Sequence, residues 1–198
     1  YAWYAINFDE INGKFSDLAY HAVGGLINHG TSITAVACST VNSYNGLVPI
    51  VGGFEGGVYT WAPTTMAYGD NNRSCMIRLP QNRFCIENRA ADMCMNPYLS
   101  LALTTAAALD GIKNKIDPGK PLNLNLYTLS PEEMEASNIK SLPRNLLEAI
   151  EALNEDDFAK EVLGDSMLLQ FFSYKKDEWD RYHQAVTDWE VQEFLRLY

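Results

Sequence analysis

The residues best suited to chemistry lie between Asn71 and Asn96, a stretch rich in arginine for an acidic chain. Four of the 15 basic residues fall within seventeen positions there, together with Glu87 and Asp92. A carboxylate beside several guanidinium groups is what phosphoryl transfer needs, because the carboxylate can hold Mg²⁺ while the arginines neutralise the transferred group. Ordinary salt bridges on a strand surface are the alternative. The arginines are Arg73, Arg78, Arg83 and Arg89.

The spacing of these residues fits a sheet. Three short segments have the composition of strands: residues 66–68, 74–79 and 84–88. Glu87 and Arg89 are two positions apart, so on a strand they share a face. Arg73 and Arg78 are five positions apart and would face opposite sides of an extended segment.

A glycine-rich segment precedes the cluster. Residues 46–57 contain five glycines and little that packs, which predicts a mobile loop. The run GGFEGG is not a Walker A loop, because no Gly-Lys-Ser/Thr follows it. A phosphate cradle, an active-site flap and an exposed tip all remain open. Glu55, at its centre, is the one residue of the loop suited to catalysis.

Neither the cysteines nor the histidines are spaced as metal ligands. The cysteines are separated by 37, 10 and 9 residues without a C-x-x-C pair, which argues against zinc and indicates reduced, mostly buried thiols. No histidine has a partner at metal-ligand spacing, so we expect all three to be structural. The residues concerned are Cys38, Cys75, Cys85, Cys94, His21, His29 and His183.

Helices are predicted in both halves of the chain: residues 17–30, 97–112, 142–153, 158–163 and 166–185. Asn96 caps the second of these, whose alanine-rich run suits close packing against a sheet. Ser130 and Glu133 form a capping box that opens a further helix. The last and longest helix is expected to turn three apolar side chains inward: Leu169, Phe172 and Trp179.

The composition excludes some partners. The net charge of −10 argues against a nucleic-acid surface, because phosphate binding needs clustered Lys and Arg. No run of eighteen apolar residues occurs, so we expect no transmembrane helix and no membrane partner. We find no signal peptide, and the opening residues resemble a strand already under way. We therefore expect a piece of a longer or processed protein that works in the cytoplasm.

Seven ordered motifs give the chain a family resemblance. They are VNSYNGLVP, NNRSCMIRLP, IENRAAD, NPYL, LDGIKNKIDPG, NLYTLSPEE and EWDRYHQAVTDWE. Together they resemble the C-terminal catalytic region of glutamine synthetases, in that family's order. The resemblance implies an α+β fold with an antiparallel sheet flanked by helices. It also implies that residues 1–198 are the C-terminal part of a catalytic domain, without its first part and without the N-terminal domain.

The resemblance further implies an activity. Family members use ATP and Mg²⁺ or Mn²⁺ to phosphorylate the γ-carboxylate of glutamate, and an amine then displaces the phosphate. They form homo-oligomers, usually dodecamers of two stacked rings. By resemblance, Arg73 and Arg78 contact the ATP phosphates and take part in catalysis, with Arg83 as a third cation for the nucleotide. Glu87 resembles the family's metal ligand, and Arg89 resembles the arginine that binds glutamate.

Two departures from the family pattern concern the substrates. Gly46 stands where the family has an arginine that holds the substrate carboxylate. Trp61 replaces a glutamate that takes a proton from ammonium, and an indole instead favours an alkyl or aryl amine. The Trp-Ala-Pro form resembles the branch that includes type III-like enzymes and γ-glutamylmethylamide synthetases. We expect glutamate as the acid, with Arg83 or a residue before Tyr1 in place of the missing arginine; a different acid is the alternative. As the amine we expect one larger than ammonia, namely methylamine, another alkylamine, a polyamine or an aniline, with ammonia as the alternative.

Two other functions stay open. A catalytically inactive relative, serving as a structural or regulatory subunit, would explain both departures but would not need the arginine cluster. A plain α+β interaction domain would not explain the motif series. Tyr127 falls where some bacterial members carry a regulatory tyrosine and is left without a role. Residues 1–198 alone are expected to show no ligase turnover, because the family's other metal ligands would lie before Tyr1.

Overall fold

The computed structural model describes residues 15–51, 58–80, 82 and 85–195. Its helices are α1 (Asp17–Asn28), α2 (Gly30–Ala37), α3 (Val41–Asn45), α4 (Pro97–Asn114), α5 (Pro131–Ala136), α6 (Leu146–Glu155), α7 (Asp157–Leu163), α8 (Asp165–Gln184) and α9 (Asp188–Phe194). Its strands are β1 (Ile50–Val51), β2 (Val58–Tyr59), β3 (Thr65–Gly69), β4 (Cys75–Arg78), β5 (Glu87–Asn88) and β6 (Lys140–Ser141), and a 3₁₀ turn covers Leu126–Thr128. None of the described helices is long and apolar enough to cross a membrane.

Side-chain caps begin several helices where the sequence predicts them. The Ser16 hydroxyl accepts a hydrogen bond from an amide in the first turn of α1. The Asn96 side chain does the same for α4, whose first residue is a proline. Ser130 and Glu133 form the expected capping box of α5. Short polar motifs therefore fix where these helices start.

The central sheet has the strand order β5-β4-β3-β6 and is mixed. Its β4–β5 and β3–β6 pairs are antiparallel, but β3 and β4 run parallel, which corrects the expectation of a purely antiparallel sheet. The connection between them explains the difference. Asn72 Nδ2 donates to the carbonyl oxygens of Leu122 and Leu124, both at 2.7 Å. These bonds hold the connection against a third segment, so the chain does not close a simple hairpin.

Helix α4 packs most extensively against α1, and not against the sheet as its alanine-rich run suggests. Two glycines make this close approach possible. A Cβ at Gly25 would lie 2.0 Å from the carbonyl oxygen of Ala107, and one at Gly111 would lie 2.2 Å from that of His21. Only glycine therefore fits at either position without moving a helix.

Gly111→Ala is expected to destabilise the protein by about 2 kcal/mol, because overpacking costs more than alanine gains over glycine in a helix. The thermal midpoint of unfolding measures the effect. Gly46→Ala is the matched control, because a Cβ there would meet its nearest neighbour, the Ser43 carbonyl oxygen, at 3.4 Å. Equal midpoints for the two variants would show that the α1–α4 contact is looser than the structure indicates.

Helix α8 buries a different leucine from the one expected. Leu168 is 3% exposed and lies in the core, whereas Leu169 is 60% exposed. Phe172 and Trp179 do pack against the core, as expected. Adjacent helical residues point about 100° apart, so an error of one position moves a side chain from the core to the surface.

Candidate active site

Strands β4 and β5 place a cation and a carboxylate opposite each other. In their antiparallel register Arg78 pairs with Glu87. Arg78 Nη1 donates to Glu87 Oε2 at 2.9 Å, and the two side chains are 16% and 13% exposed. Because both groups are largely withdrawn from water, salt screens this ion pair less than one at the surface.

Arg89 adds a second guanidinium near the other carboxylate oxygen. It follows β5 directly, and its Nε lies 3.9 Å from Glu87 Oε1, as the two-residue spacing predicts. Its Nη1 also donates to the carbonyl oxygen of Trp61 at 2.9 Å and to that of Arg73. One guanidinium thus ties the end of β5 to two loops, and Glu87 lies between two arginines.

Asn71 orients Arg78, a role that the spacing of the charged residues does not indicate. Its Oδ1 accepts from Arg78 Nε at 3.0 Å and also from Nη2. With the bond to Glu87, all three nitrogens of the Arg78 guanidinium are engaged. The polar run that precedes Arg73 was the only signal of this support in the sequence.

Arg73 contacts the other arginines of the cluster only through its backbone carbonyl among the described residues. Its carbonyl accepts from Arg89, but its side chain is exposed and contacts no carboxylate in the part of the chain that the structure describes. The side chain lines a cavity of about 610 Å³, together with Trp61, residues 70–72 and residues 123–125. A cation in such a wall is available to an anionic ligand.

Trp61 forms a wall shared by two cavities. It lines the larger one and also a cavity of about 250 Å³, whose lining includes Gly46, Arg89 and Asp92. Trp61 is 43% exposed, so much of the indole can meet a ligand. The two positions that depart from the family pattern, Gly46 and Trp61, therefore border the same space.

Burial keeps the thiols near this site protonated. It raises the pKa of Cys75 to about 12 against the opposing effect of Arg89, and it raises that of Cys38 to about 12 with a contribution from Asp92. Burial alone would raise the pKa of Asp92 too, but hydrogen bonding, first from the Cys94 amide, brings it below its ordinary value. None of the four cysteines forms a disulfide bond, and three are buried, as predicted. At neutral pH Cys38 and Cys75 are therefore poor nucleophiles and poor metal ligands.

The described residues offer few metal ligands. No group of three His, Cys, Asp or Glu side chains that could hold a metal occurs among them, and the carboxylate that contacts Arg78 and Arg89 is Glu87. Glu55 and Arg83, predicted to act in catalysis and in nucleotide binding, lie outside the described residues. The histidines have structural contacts: Ile116 for His21, Asp110 and Phe158 for His29, and Trp179 for His183.

Comparison with known proteins shows to which family this chain belongs. The family model described as "Glutamine synthetase, catalytic domain" matches residues 6–194. The chain therefore belongs to the glutamine synthetase family, and the resemblance seen in its motifs is confirmed.

Two proteins of similar sequence and one solved structure of similar fold illustrate the match. A Methyloversatilis universalis protein named glutamate–methylamine ligase is 44% identical over 183 residues, which cover 92% of this chain and 40% of the relative. A Methanosarcina mazei protein named glutamine synthetase is 42% identical over 93% of this chain and 40% of its own length. A solved structure described as a GmaS/ADP complex matches with a TM-score of 0.79 at 35% identity, over 95% of this chain and 42% of that one. The chain thus spans about 40% of the length of the curated relatives it matches.

Proposed function

We propose that the whole protein containing this chain is an ATP-dependent ligase that joins glutamate to an amine through γ-glutamyl phosphate. The observation that carries the proposal is the cluster of Arg78, Glu87 and Arg89 in a member of this family. A solely structural subunit would not need a carboxylate held between two guanidinium groups, one of which, Arg89, lines the smaller cavity.

The reaction has two steps. An oxygen of the γ-carboxylate of glutamate attacks the γ-phosphorus of ATP, and ADP leaves. The amine nitrogen then attacks the acyl carbon, phosphate leaves and the nitrogen loses a proton. Arg73 and Arg78 would neutralise the phosphoryl oxygens, and Arg89 would hold the acid. Bound Mg²⁺ or Mn²⁺ would supply charge neutralisation between the phosphates, with Glu87 as its ligand from this chain.

The remaining parts of the proposal rest on the family. Arg83 is proposed as a further cation for the nucleotide and Glu55 as a catalytic residue of the glycine-rich segment. The protein is proposed to be a homo-oligomer, a dodecamer of two stacked rings. The thiols support a cytoplasmic location, because none of the four forms a disulfide bond and a reducing compartment prevents such bonds.

The proposed amine is larger than ammonia. Trp61 puts an aromatic wall beside both cavities. An alkylammonium ion gains cation–π contact and apolar burial against an indole, whereas ammonium needs a carboxylate to replace its water. The printed name of the Methyloversatilis relative supports methylamine.

The proposed acid is glutamate, despite the missing family arginine. Gly46 contributes no side chain to the smaller cavity, and Arg89 is the cation among the described residues that line it. Arg89 can hold one carboxylate there. The other carboxylate would then bind to Arg83 or to a part of the whole protein outside this chain.

The test is product formation by the whole protein with Mg²⁺, ATP, glutamate and a panel of ammonia, methylamine, ethylamine, putrescine and aniline. We expect a γ-glutamyl amide by mass spectrometry, with kcat/KM for a substituted amine about tenfold above that for ammonia. Ammonia as the best nucleophile would refute the proposed amine and leave the ligase standing. Nucleotide binding without ADP formation with any amine would favour the non-catalytic subunit.

A further inference from the structure

Trp61 adopts a backbone conformation that needs support. Its φ of 56° lies in the left-handed region, which is unfavourable for a bulky side chain. Such a residue keeps its conformation only where its surroundings hold it. Trp61 also lines both cavities, so the contacts that hold this segment affect the shape of both.

Among the described residues, side chains from two separate elements contact this segment. Arg89 Nη1, at the end of β5, donates to the Trp61 carbonyl oxygen at 2.9 Å. The Tyr127 hydroxyl, from the 3₁₀ turn, donates to the carbonyl oxygen of Ala62. The Tyr127 ring centroid lies 6.2 Å from that of the indole, with the ring planes at 40°. Tyr127 thus engages both the backbone and the ring of this segment.

Hydrogen bonds and a buried neighbour hold Tyr127 in its position. Asn125 caps the 3₁₀ turn, and its Oδ1 accepts from the Tyr127 amide at 3.1 Å. The neighbouring Leu126 is 2% exposed, and its amide donates to the Ser74 hydroxyl at 3.3 Å. Burial raises the pKa of Tyr127, so its hydroxyl keeps its proton at neutral pH and remains a donor. A fixed donor is suited to positioning the strained residue beside it.

We propose that Tyr127 is a positioning residue, which sets where the Trp61 indole lies in the lining of the two cavities and thereby which amine the enzyme prefers. The inference rests on the proposed function and concerns the amine, not the phosphoryl transfer. Tyr127 acts through Trp61, because its hydroxyl is engaged with the Ala62 carbonyl oxygen.

The experiment compares wild type with Tyr127→Phe in the whole protein, using methylamine and ammonia as competing nucleophiles. Phenylalanine keeps the ring and loses the hydroxyl, with its hydrogen bonds to the Ala62 carbonyl oxygen and to the Thr60 side chain. We expect the ratio of kcat/KM for methylamine to that for ammonia to fall about fivefold, the factor typical of one neutral hydrogen bond, with KM for ATP unchanged. Tyr98→Phe is the matched control, because Tyr98 is 84% exposed, and it should leave the ratio unchanged.

A double-mutant cycle separates positioning from a general loss of stability. On a Trp61→Ala background, Tyr127→Phe should no longer change the ratio, because no indole remains to be positioned. An unchanged ratio in the single variant, or an equal fall on both backgrounds, would overturn the inference and leave the ligase standing. If wild type forms no amide with either amine, the proposed function fails and this inference fails with it.

Discussion

Glutamine in place of Glu87 is expected to lower kcat of the whole protein about a thousandfold while leaving it folded. Glu87 is the carboxylate between Arg78 and Arg89, and it is the proposed metal ligand of the described residues. Glutamine has nearly the same shape and keeps a carbonyl oxygen that can accept from Arg78. The expected loss is therefore one of charge and not of packing.

ADP release at saturating ATP, glutamate and methylamine measures this effect, with the thermal midpoint as the check on folding. Glu151→Gln is the matched control, because Glu151 is exposed on α6 and should keep full activity. A Glu87→Gln enzyme with the kcat of wild type would show that the reaction does not use this carboxylate. The roles proposed for the arginine cluster would then be wrong.

Replacing Trp61 with glutamate is expected to lower the ratio of kcat/KM for methylamine to kcat/KM for ammonia about a hundredfold. The indole offers cation–π contact and apolar area to a methyl group, and the substitution removes both. A carboxylate can replace water around ammonium and accept its proton. The Arg89 bond to residue 61 involves the backbone carbonyl, so it survives the change of side chain.

Competition between methylamine and ammonia, followed by mass spectrometry of the two amides, gives this ratio directly. Trp61→Phe serves as the control that keeps an aromatic wall, and it should stay close to wild type. If Trp61→Glu and wild type show the same ratio, the amine does not meet residue 61. The amine pocket would then lie elsewhere in the whole protein.

Part of this structure could be predicted from the alternation of side chains along strands and from helix-capping motifs. Glu87 and Arg89 share a face because alternate residues of a strand do, and that rule needs no tertiary information. Asn96 marks the start of α4 because its side chain satisfies amides of the first turn. The residues that interact in this way are only a few positions apart, so the local sequence is enough to predict these interactions.

The parts that escaped prediction depend on contacts between distant residues. The parallel β3–β4 pair depends on Asn72 bonding to carbonyl oxygens some fifty positions later. Tyr127 meets Ala62 across sixty-five positions, and nothing in either local segment indicates that contact. The close α1–α4 approach likewise requires Gly25 and Gly111 to face each other, which only the folded chain reveals.

Oxygen-18 in the γ-carboxylate of glutamate tests the central claim most directly. If γ-glutamyl phosphate forms, one carboxylate oxygen bonds to phosphorus and departs with the phosphate when the amine attacks. For the whole protein turning over ATP, labelled glutamate and methylamine, we predict one labelled oxygen in each phosphate and one amide per phosphate. Unlabelled phosphate released at the rate of ATP consumption would contradict the assignment of this chain to an ATP-dependent glutamate–amine ligase.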